Sequence, residues 1–573
     1  MNGAELLVRC LENEGVDTIF GIPGEENLVF LEALRTSSIR LILTRHEQAA
    51  GFMAATYGRL TGRPGVCLST LGPGATNFVT AVAYALLGGM PVLFITGQKP
   101  IKKSKQGRFQ ILDVVRMMAP LTKFTKQVIS AGSIPPLVRD IFRIATEEKP
   151  GPVHLELPED IAAEETEKMP LPLTRLFPAH AHPASLAVAA DLIRQARYPL
   201  FLFGAEAKRP DVCQVARELI GRTGIYFFTT QMGKGIIDEH SPFSLGTAAL
   251  SDHDYLHCAI DRADVIVNVG HDVVEKPPFF MNQRDVQVVH VNYSPADIDE
   301  VYFPQHEVIG DIGHSLARLS LLVGAEQGPY RLSGAMGAVE KGAPGTGPGP
   351  TKSGCPGYDY FQRLHQEIKV HVYGAQGHDR FPDTPQRIVR DIRHAVPDDS
   401  IISLDNGMYK IWFARNFKAT QPDSLLLDNA LASMGAGLPV AIAAKLLYPQ
   451  RPVVAVCGDG GFMMNSQEME TAIRLKLHLV VVVLRDDGYG MIKWKQSGMN
   501  LPDFGLDFLN PDFIQYAKSY GANGYRVSRS GELAELLSAC LERPGLHLVE
   551  VPVDYSQNEE VFIQELRDKT CLL

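Results

Sequence analysis

Gly458 to Gly490 reads GDGGFMMNSQEMETAIRLKLHLVVVVLRDDGYG, and the apolar run Pro452 to Cys457 (PVVAVC) leads into it. The run reads as a buried strand. In the Gly-Asp-Gly that follows, the glycines permit a tight turn close to a ligand, and Asp459 presents a hard carboxylate oxygen. A helical pattern covers about Ser466 to Leu475, with Met469, Ala472 and Ile473 facing inward. A second apolar strand, Leu479 to Leu484, ends in Asp486, Asp487 and Gly488. In an open parallel sheet the carboxyl ends of two such strands lie side by side, in the crevice where ligands bind. Asp459, Asp486 and the Gly488 carbonyl are therefore expected around one Mg²⁺, an ion that takes oxygen ligands and is often completed by phosphates. A GDG taken alone is an ordinary turn; the weight lies in oxygen donors at both strand ends.

This unit resembles the signature of the thiamine-diphosphate-dependent enzymes, where GDG is followed about two dozen residues later by Asn-Asn. Here the ending is Arg485-Asp486, and Asp486 stands where the family's metal-binding Asn stands, as in catabolic acetolactate synthases. The resemblance covers nearly the whole chain outside 324–379. It implies an α/β protein of three doubly wound parallel-sheet domains: a pyrimidine-binding domain (1–165), a central domain (186–323) and a diphosphate- and Mg²⁺-binding domain (380–573). Residues 324–379 read as a Gly- and Pro-rich linker, with a partly apolar, helix-compatible segment from Tyr358 to Val372. Thiamine diphosphate and Mg²⁺ are the implied cofactors.

Toward the amino terminus, RLILTRHE reads as a strand ending in Glu47, and QAAGFMAATYGRLTG as a helix of small residues. A Glu in that place ordinarily just favours the helix dipole. The pattern RHEQAA…MAATYGR resembles the family, whose matching Glu bonds N1′ of the aminopyrimidine and promotes proton loss from C2 of the thiazolium. Glu47 is thus the expected catalytic carboxylate, and His46 is read as structural. In LGPGATN, Gly72, Pro73 and Gly74 are expected to bring backbone against the cofactor, while Thr76 and Asn77 either cap the next helix or touch substrate. Gly24, in the turn Gly21-Ile-Pro-Gly24, is expected over the reacting centre. The Glu25-Glu26-Asn27 that follows departs from the family; the acids are read as helix-opening residues, although acid beside a site for an anionic substrate is unexpected. Phe109-Gln110-Ile111-Leu112-Asp113 resembles FQxxD and HQxxD, which implies Gln110 near the thiazolium and Phe109 beside substrate. The His-His pair of pyruvate decarboxylases is missing, which favours carbon–carbon bond formation over aldehyde release.

Central strands are read in YPLFLF, GIYFFTT, ADVIVNVG and VQVVHVN. GHDVVEKPP resembles the catabolic form, so FAD is not expected, while GRTG and MGKG are compatible with a nucleotide and decide nothing. Further on, IISLDNGMYKIWF is a strand, a Gly turn and a helix start, a ready phosphate site. The resemblance places Gly407, Tyr409 and Lys410 against the diphosphate, with a surface lysine as the alternative for Lys410. Small residues in SMGAGLPVAIAAKL give room for a cofactor, and Met434 matches the apolar residue that bends it, a core Met being the ordinary reading. Gly458, Gly460, Gly461, Tyr489 and Met491 complete the expected cofactor contacts, and Trp494 lies in the substrate-selecting region.

The chain's 573 residues suffice for three domains, and a formal charge of −10 argues against a nucleic-acid partner. No apolar run approaches a membrane span, and no secretory signal opens the chain. Eight scattered cysteines without a CxxC pair suit a cytosolic protein with neither a structural zinc site nor a disulfide framework. The implied function is that of an acetolactate synthase acting on pyruvate, as a homodimer or homotetramer with sites between subunits. The alternatives are another 2-oxo-acid decarboxylase or carboligase with a glyoxylate or aldehyde acceptor, or a non-catalytic homologue.

Overall fold

The computed structural model describes residues 1–102, 107–174, 177–251, 253–275, 279, 281–283, 285–324, 358–374 and 380–571. The first sheet contains β1 (Thr18–Gly21), β2 (Arg40–Leu43), β3 (Gly65–Ser69), β4 (Val92–Gln98), β5 (Phe124–Gln127) and β6 (Pro152–Pro158), in the order β2-β1-β3-β4-β6-β5. The second contains β7 (Pro199–Phe203), β8 (Phe227–Thr229), β9 (Ser244–Thr247), β10 (Val265–Val269), β11 (Gln287–Asn292) and β12 (His306–Ile309), in the order β12-β11-β10-β7-β8-β9. The third contains β13 (Ile401–Leu404), β14 (Leu425–Leu426), β15 (Val453–Gly458), β16 (Leu479–Arg485), β17 (Asn523–Arg526) and β18 (Leu546–Pro552), in the order β14-β13-β15-β16-β18-β17. All pairings are parallel, so the three parallel-sheet domains expected from the sequence are present. The first and third sheets share one connectivity; the second has another.

The chain forms two compact units: Met1–Phe177 with Ala375–Val561 and Val274–Lys276, and Pro178–Val273 with Pro277–Gly374 and Phe562–Leu573. In the first unit, β4 and β15 are buried almost throughout because helices cover both faces of each sheet. One apolar core runs through both sheets, and the helices Glu47–Thr61 and Gly437–Leu447 pack together within it. Ala50, Ala54, Ala441 and Ala444 are fully buried there. The small residues of 437–447 let these two helices approach closely.

Several local expectations are corrected. The strand before Glu47 stops at Leu43, His46 takes an extended cap conformation, and Glu47 opens the helix. After β15 the helix starts at once, as Asp459–Asn465, and a second helix, Glu468–Arg474, follows; an acid in the first turn suits the helix dipole. Within 324–379 the segment read as helix-compatible does form a helix, Tyr358–Ile368, which buries Phe361, Leu364 and Ile368 in the second unit's core, while the Gly- and Pro-rich linker reading over 325–357 lies outside the described residues. Leu566 joins that core, so the last residues belong with the central sheet and not with the 380–573 domain. Although no disulfide framework is expected, one pair, Cys258 and Cys571, is bonded, with Cα atoms 5.4 Å apart. Folding brings together two cysteines 313 residues apart, a relation that spacing alone does not reveal. Among the described residues no helix is long and apolar enough to cross a membrane.

Candidate active site

Glu47 is 9 % exposed. It is the first residue of its helix, and the His46 ring nitrogen Nδ1 accepts the Gln48 N–H at 3.1 Å as the cap. The Glu47 Oε2 accepts a hydrogen bond from the Asn77 side-chain amide at 2.9 Å. Asn77 therefore neither caps the next helix nor stands apart from the carboxylate; Thr76 donates to the Pro73 carbonyl. Gly74 lies on the other side: a Cβ there would sit 3.3 Å from Glu47 Oε1 and 3.0 Å from the Thr70 methyl group. The missing side chain keeps the carboxylate face clear.

The loops around Glu47 are held from several directions. Pro73 opens the short helix Pro73–Asn77 with Gly72 as its cap, and a Cβ on Gly72 would meet the Gln110 carbonyl oxygen at 2.8 Å. Gln110 has a left-handed backbone (φ 58°), and Phe109 beside it is 70 % exposed. Gly24 packs on Thr70, whose hydroxyl donates to the buried Glu26. Glu26 also pairs with Lys99 at 2.6 Å. Burial works against the charged Glu26, yet the bonds from Lys99 and Thr70 hold its carboxyl below the ordinary range. The acid that looked out of place in the sequence is thus neutralised by a lysine.

The acidic turns lie at the ends of the neighbouring strands β15 and β16, with Gly458 paired to Leu484. Asp459 is buried; its Oδ1 accepts the Gly460 N–H, and its Oδ2 accepts the Asp487 N–H and the Asn510 side-chain amide, each at 2.8 Å. Burial raises the Asp459 carboxyl. Asp486 is pushed up to about 7, by burial first and then by the charges of Asp459 and Asp487. Asp487 goes the opposite way: burial is outweighed by bonds from Arg485 and Asn510. Gly488 forms a bridge with Asp507, which folds the following loop over the turn. Such a crowd of acids favours a cation. Among the described residues no group of three or more His, Cys, Asp or Glu side chains could hold a metal ion. A cation here would need the Gly488 carbonyl and phosphate oxygens beside the two carboxylates, a set that fits Mg²⁺.

Gly407 precedes the helix Met408–Asn416, in which Tyr409 and Lys410 are both buried. Tyr409 is buried, and its hydroxyl accepts the Gly458 N–H at 2.9 Å, bracing the GDG turn from below. Lys410 is buried rather than on the surface; its ammonium donates to the Asp428 carbonyl and the Asn429 side chain. Met434 is half-buried rather than in the core. Its neighbour Gly435 donates its N–H to Asp405, and its carbonyl accepts a hydrogen bond from the Asn465 side-chain amide. Gly461 packs on the same Asp405, whose carboxyl burial pushes up to about 6. A Cβ on Gly460 would meet Tyr489 at 3.0 Å. Met491 and Trp494 are half-buried on the helix Gly490–Gly498.

Asp405, Asn465, Glu468 and Asn510 do not stand out in the sequence. Asp405 left one signal, an acid ending an apolar strand just as Asp459 does. Asn510 sits in a loop without any periodic pattern, and only folding brings it to Asp459.

Models of the thiamine pyrophosphate enzymes match three regions: the N-terminal TPP binding domain at residues 1–117, the central domain at 186–319 and the C-terminal TPP binding domain at 405–551. The chain is 33 % identical to an acetolactate synthase of Bacillus subtilis, covering 97 % of this chain and 94 % of that protein. It is 32 % identical to a catabolic acetolactate synthase of Raoultella terrigena (97 % and 96 % covered). A probable acetolactate synthase large subunit of Methanocaldococcus jannaschii is 31 % identical (97 % and 92 %).

Proposed function

The chain belongs to the thiamine-diphosphate-dependent enzymes, and from that premise we propose that it is an acetolactate synthase, decarboxylating one pyruvate and joining the remaining two-carbon unit to a second. The observation that carries the reading is the buried Glu47 carboxylate, fixed by Asn77 with Gly74 open beside it. The bound cofactor supplies a thiazolium that accepts the electron pair released by decarboxylation. Glu47 is the group that shares a proton with the cofactor's pyrimidine through its carboxylate. Asp459, Asp486 and the Gly488 carbonyl would hold Mg²⁺, and with it the diphosphate. Met434 would pack against the cofactor, and the backbone of Gly24, Gly72 and Gly74 would line its reacting end. Gln110 and Phe109 face the substrate, and the Lys99–Glu26 pair keeps the nearby acid from repelling an anionic 2-oxo acid. Excluding water and proton donors steers the reaction to ligation rather than aldehyde release.

Homodimers or homotetramers with sites between subunits complete this reading. Exposed apolar side chains on the loop after Trp494 support it: Met499, Leu501, Phe504 (85 % exposed) and Leu509 (99 % exposed) offer a surface for a second copy. Purified protein given thiamine diphosphate, Mg²⁺ and pyruvate alone is expected to form 2-acetolactate and CO₂. Acetaldehyde as the main product, or turnover that requires glyoxylate or an aldehyde, overturns the assignment.

A further inference from the structure

Between the elements carrying Glu47 and Asp459 lies a buried carboxyl to which the mechanism gives no role. Glu468 opens the helix Glu468–Arg474 and has no solvent exposure. Its Oε1 reaches the amino-terminal domain and accepts the backbone N–H groups of Arg45 at 2.9 Å and His46 at 3.1 Å. Its Oε2 accepts the Thr471 hydroxyl at 2.6 Å, which fixes the carboxyl plane. Arg45 and His46 are the two residues immediately before Glu47. On the other side of Glu47, Gln48 accepts a hydrogen bond at 3.0 Å from Asn465, the last residue of the helix that Asp459 opens. Glu47 is thus bracketed on both sides by ties to the domain that carries Asp459.

The backbone N–H of a helix cap residue is ordinarily satisfied by a side chain one turn into its own helix; for His46 the acceptor comes instead from a residue 422 positions further along the chain. Burial pushes the Glu468 carboxyl up to about 7, against the bonds from Thr471 and the two amides. A less polar contact would join the domains without that cost. What a carboxyl adds over an apolar contact is direction, because two amides aimed at one oxygen set where the chain enters the helix.

We infer that Glu468 is a positioning residue for Glu47, fixing the entry of the chain into the helix that bears it. The inference rests on Glu47 acting on the cofactor's pyrimidine. A displacement of about 1 Å at a reacting group can cost on the order of a hundredfold in rate.

The test uses the full-length protein with thiamine diphosphate and Mg²⁺. Three quantities are read: hydrogen–deuterium exchange at C2 of the bound cofactor, calorimetric affinity for the cofactor, and amide exchange of the peptide covering residues 40–50. Glu468→Ala is expected to slow C2 exchange about tenfold or more, leave cofactor affinity within about threefold, and expose the Arg45 and His46 amides. Glu468→Gln keeps an oxygen for both amides and can donate to the Thr471 oxygen, so it should remain within about threefold of wild type throughout. Should Glu468→Ala not fold, Thr471→Val, which frees only the carboxyl plane, is expected to slow C2 exchange several-fold. The positioning role is overturned by unchanged C2 exchange in these variants, by a Gln variant as slow as the Ala variant, or by cofactor affinity falling as far as the exchange rate. Glu47→Gln runs alongside. If it exchanges at the wild-type rate, the role of Glu47 itself fails; if it alone is slow, only the positioning fails.

Discussion

Removing the Asn77 side chain tests the proposed role of Glu47 without touching that residue. In the folded chain the Asn77 amide donates to Glu47 Oε2 at 2.9 Å. A hydrogen bond to a charged group contributes about 1.5–3 kcal/mol, and Asn77 is itself exposed, which points to the lower end. At about 1.4 kcal/mol per decade, Asn77→Ala should lower kcat/KM for pyruvate about tenfold. Cofactor affinity should stay within about threefold, and the thermal midpoint should barely move, because the bond orients a carboxylate and supports no core. The decisive measurement is a double-mutant cycle. In a Glu47→Gln background the charge-assisted bond no longer exists, so Asn77→Ala should change residual activity by less than about twofold. Asn77→Ala at wild-type activity, or an equal loss in both backgrounds, refutes the reasoning that Asn77 works through Glu47.

If sites are shared between subunits, mixing inactive Glu47→Gln and Asp459→Asn chains and letting subunits exchange should restore about a quarter of wild-type activity, since half the dimers are mixed and each has one intact site; no recovery despite proven exchange places both carboxylates in one chain's site. Chelation of divalent ions should abolish acetolactate formation and added Mg²⁺ should restore it, whereas full activity in excess chelator removes the metal from the scheme. The Glu468 carboxyl is raised by burial from 4.5 to about 7, so the folded state holds its proton more tightly than the unfolded one. Its stabilising effect is complete below about pH 4.5 and is lost as pH rises to about 7, an upper bound of roughly 3 kcal/mol. The thermal midpoint of Glu468→Gln relative to wild type should therefore be higher at about pH 8 than at about pH 5, and an equal offset at both contradicts it. Peptide mapping under non-reducing conditions should recover the Cys258 and Cys571 peptides linked, with Cys10, Cys67, Cys213, Cys457 and Cys540 alkylated after denaturation.

Sequence by itself determined the parallel-sheet class and the positions of the acidic turns. Strands such as VVVVL are apolar along their whole length because helices cover both faces, and that pattern is local. Edge strands such as β5 and β17, half-exposed and mixed in composition, left no such trace. The turn motif around Asp459 was equally legible, because glycine and a hard oxygen at a strand end are requirements of neighbouring residues. Tertiary structure alone decided which groups these residues answer to: Asn77 on Glu47, Asn510 on Asp459, Lys99 on Glu26, Glu468 beneath Arg45 and His46. It also set the Lys410 ammonium on the Asp428 carbonyl and closed Cys258 onto Cys571. The reason is physical: backbone preference and hydrophobic period act over a few residues, whereas a buried polar atom takes whichever partner folding brings within hydrogen-bonding distance.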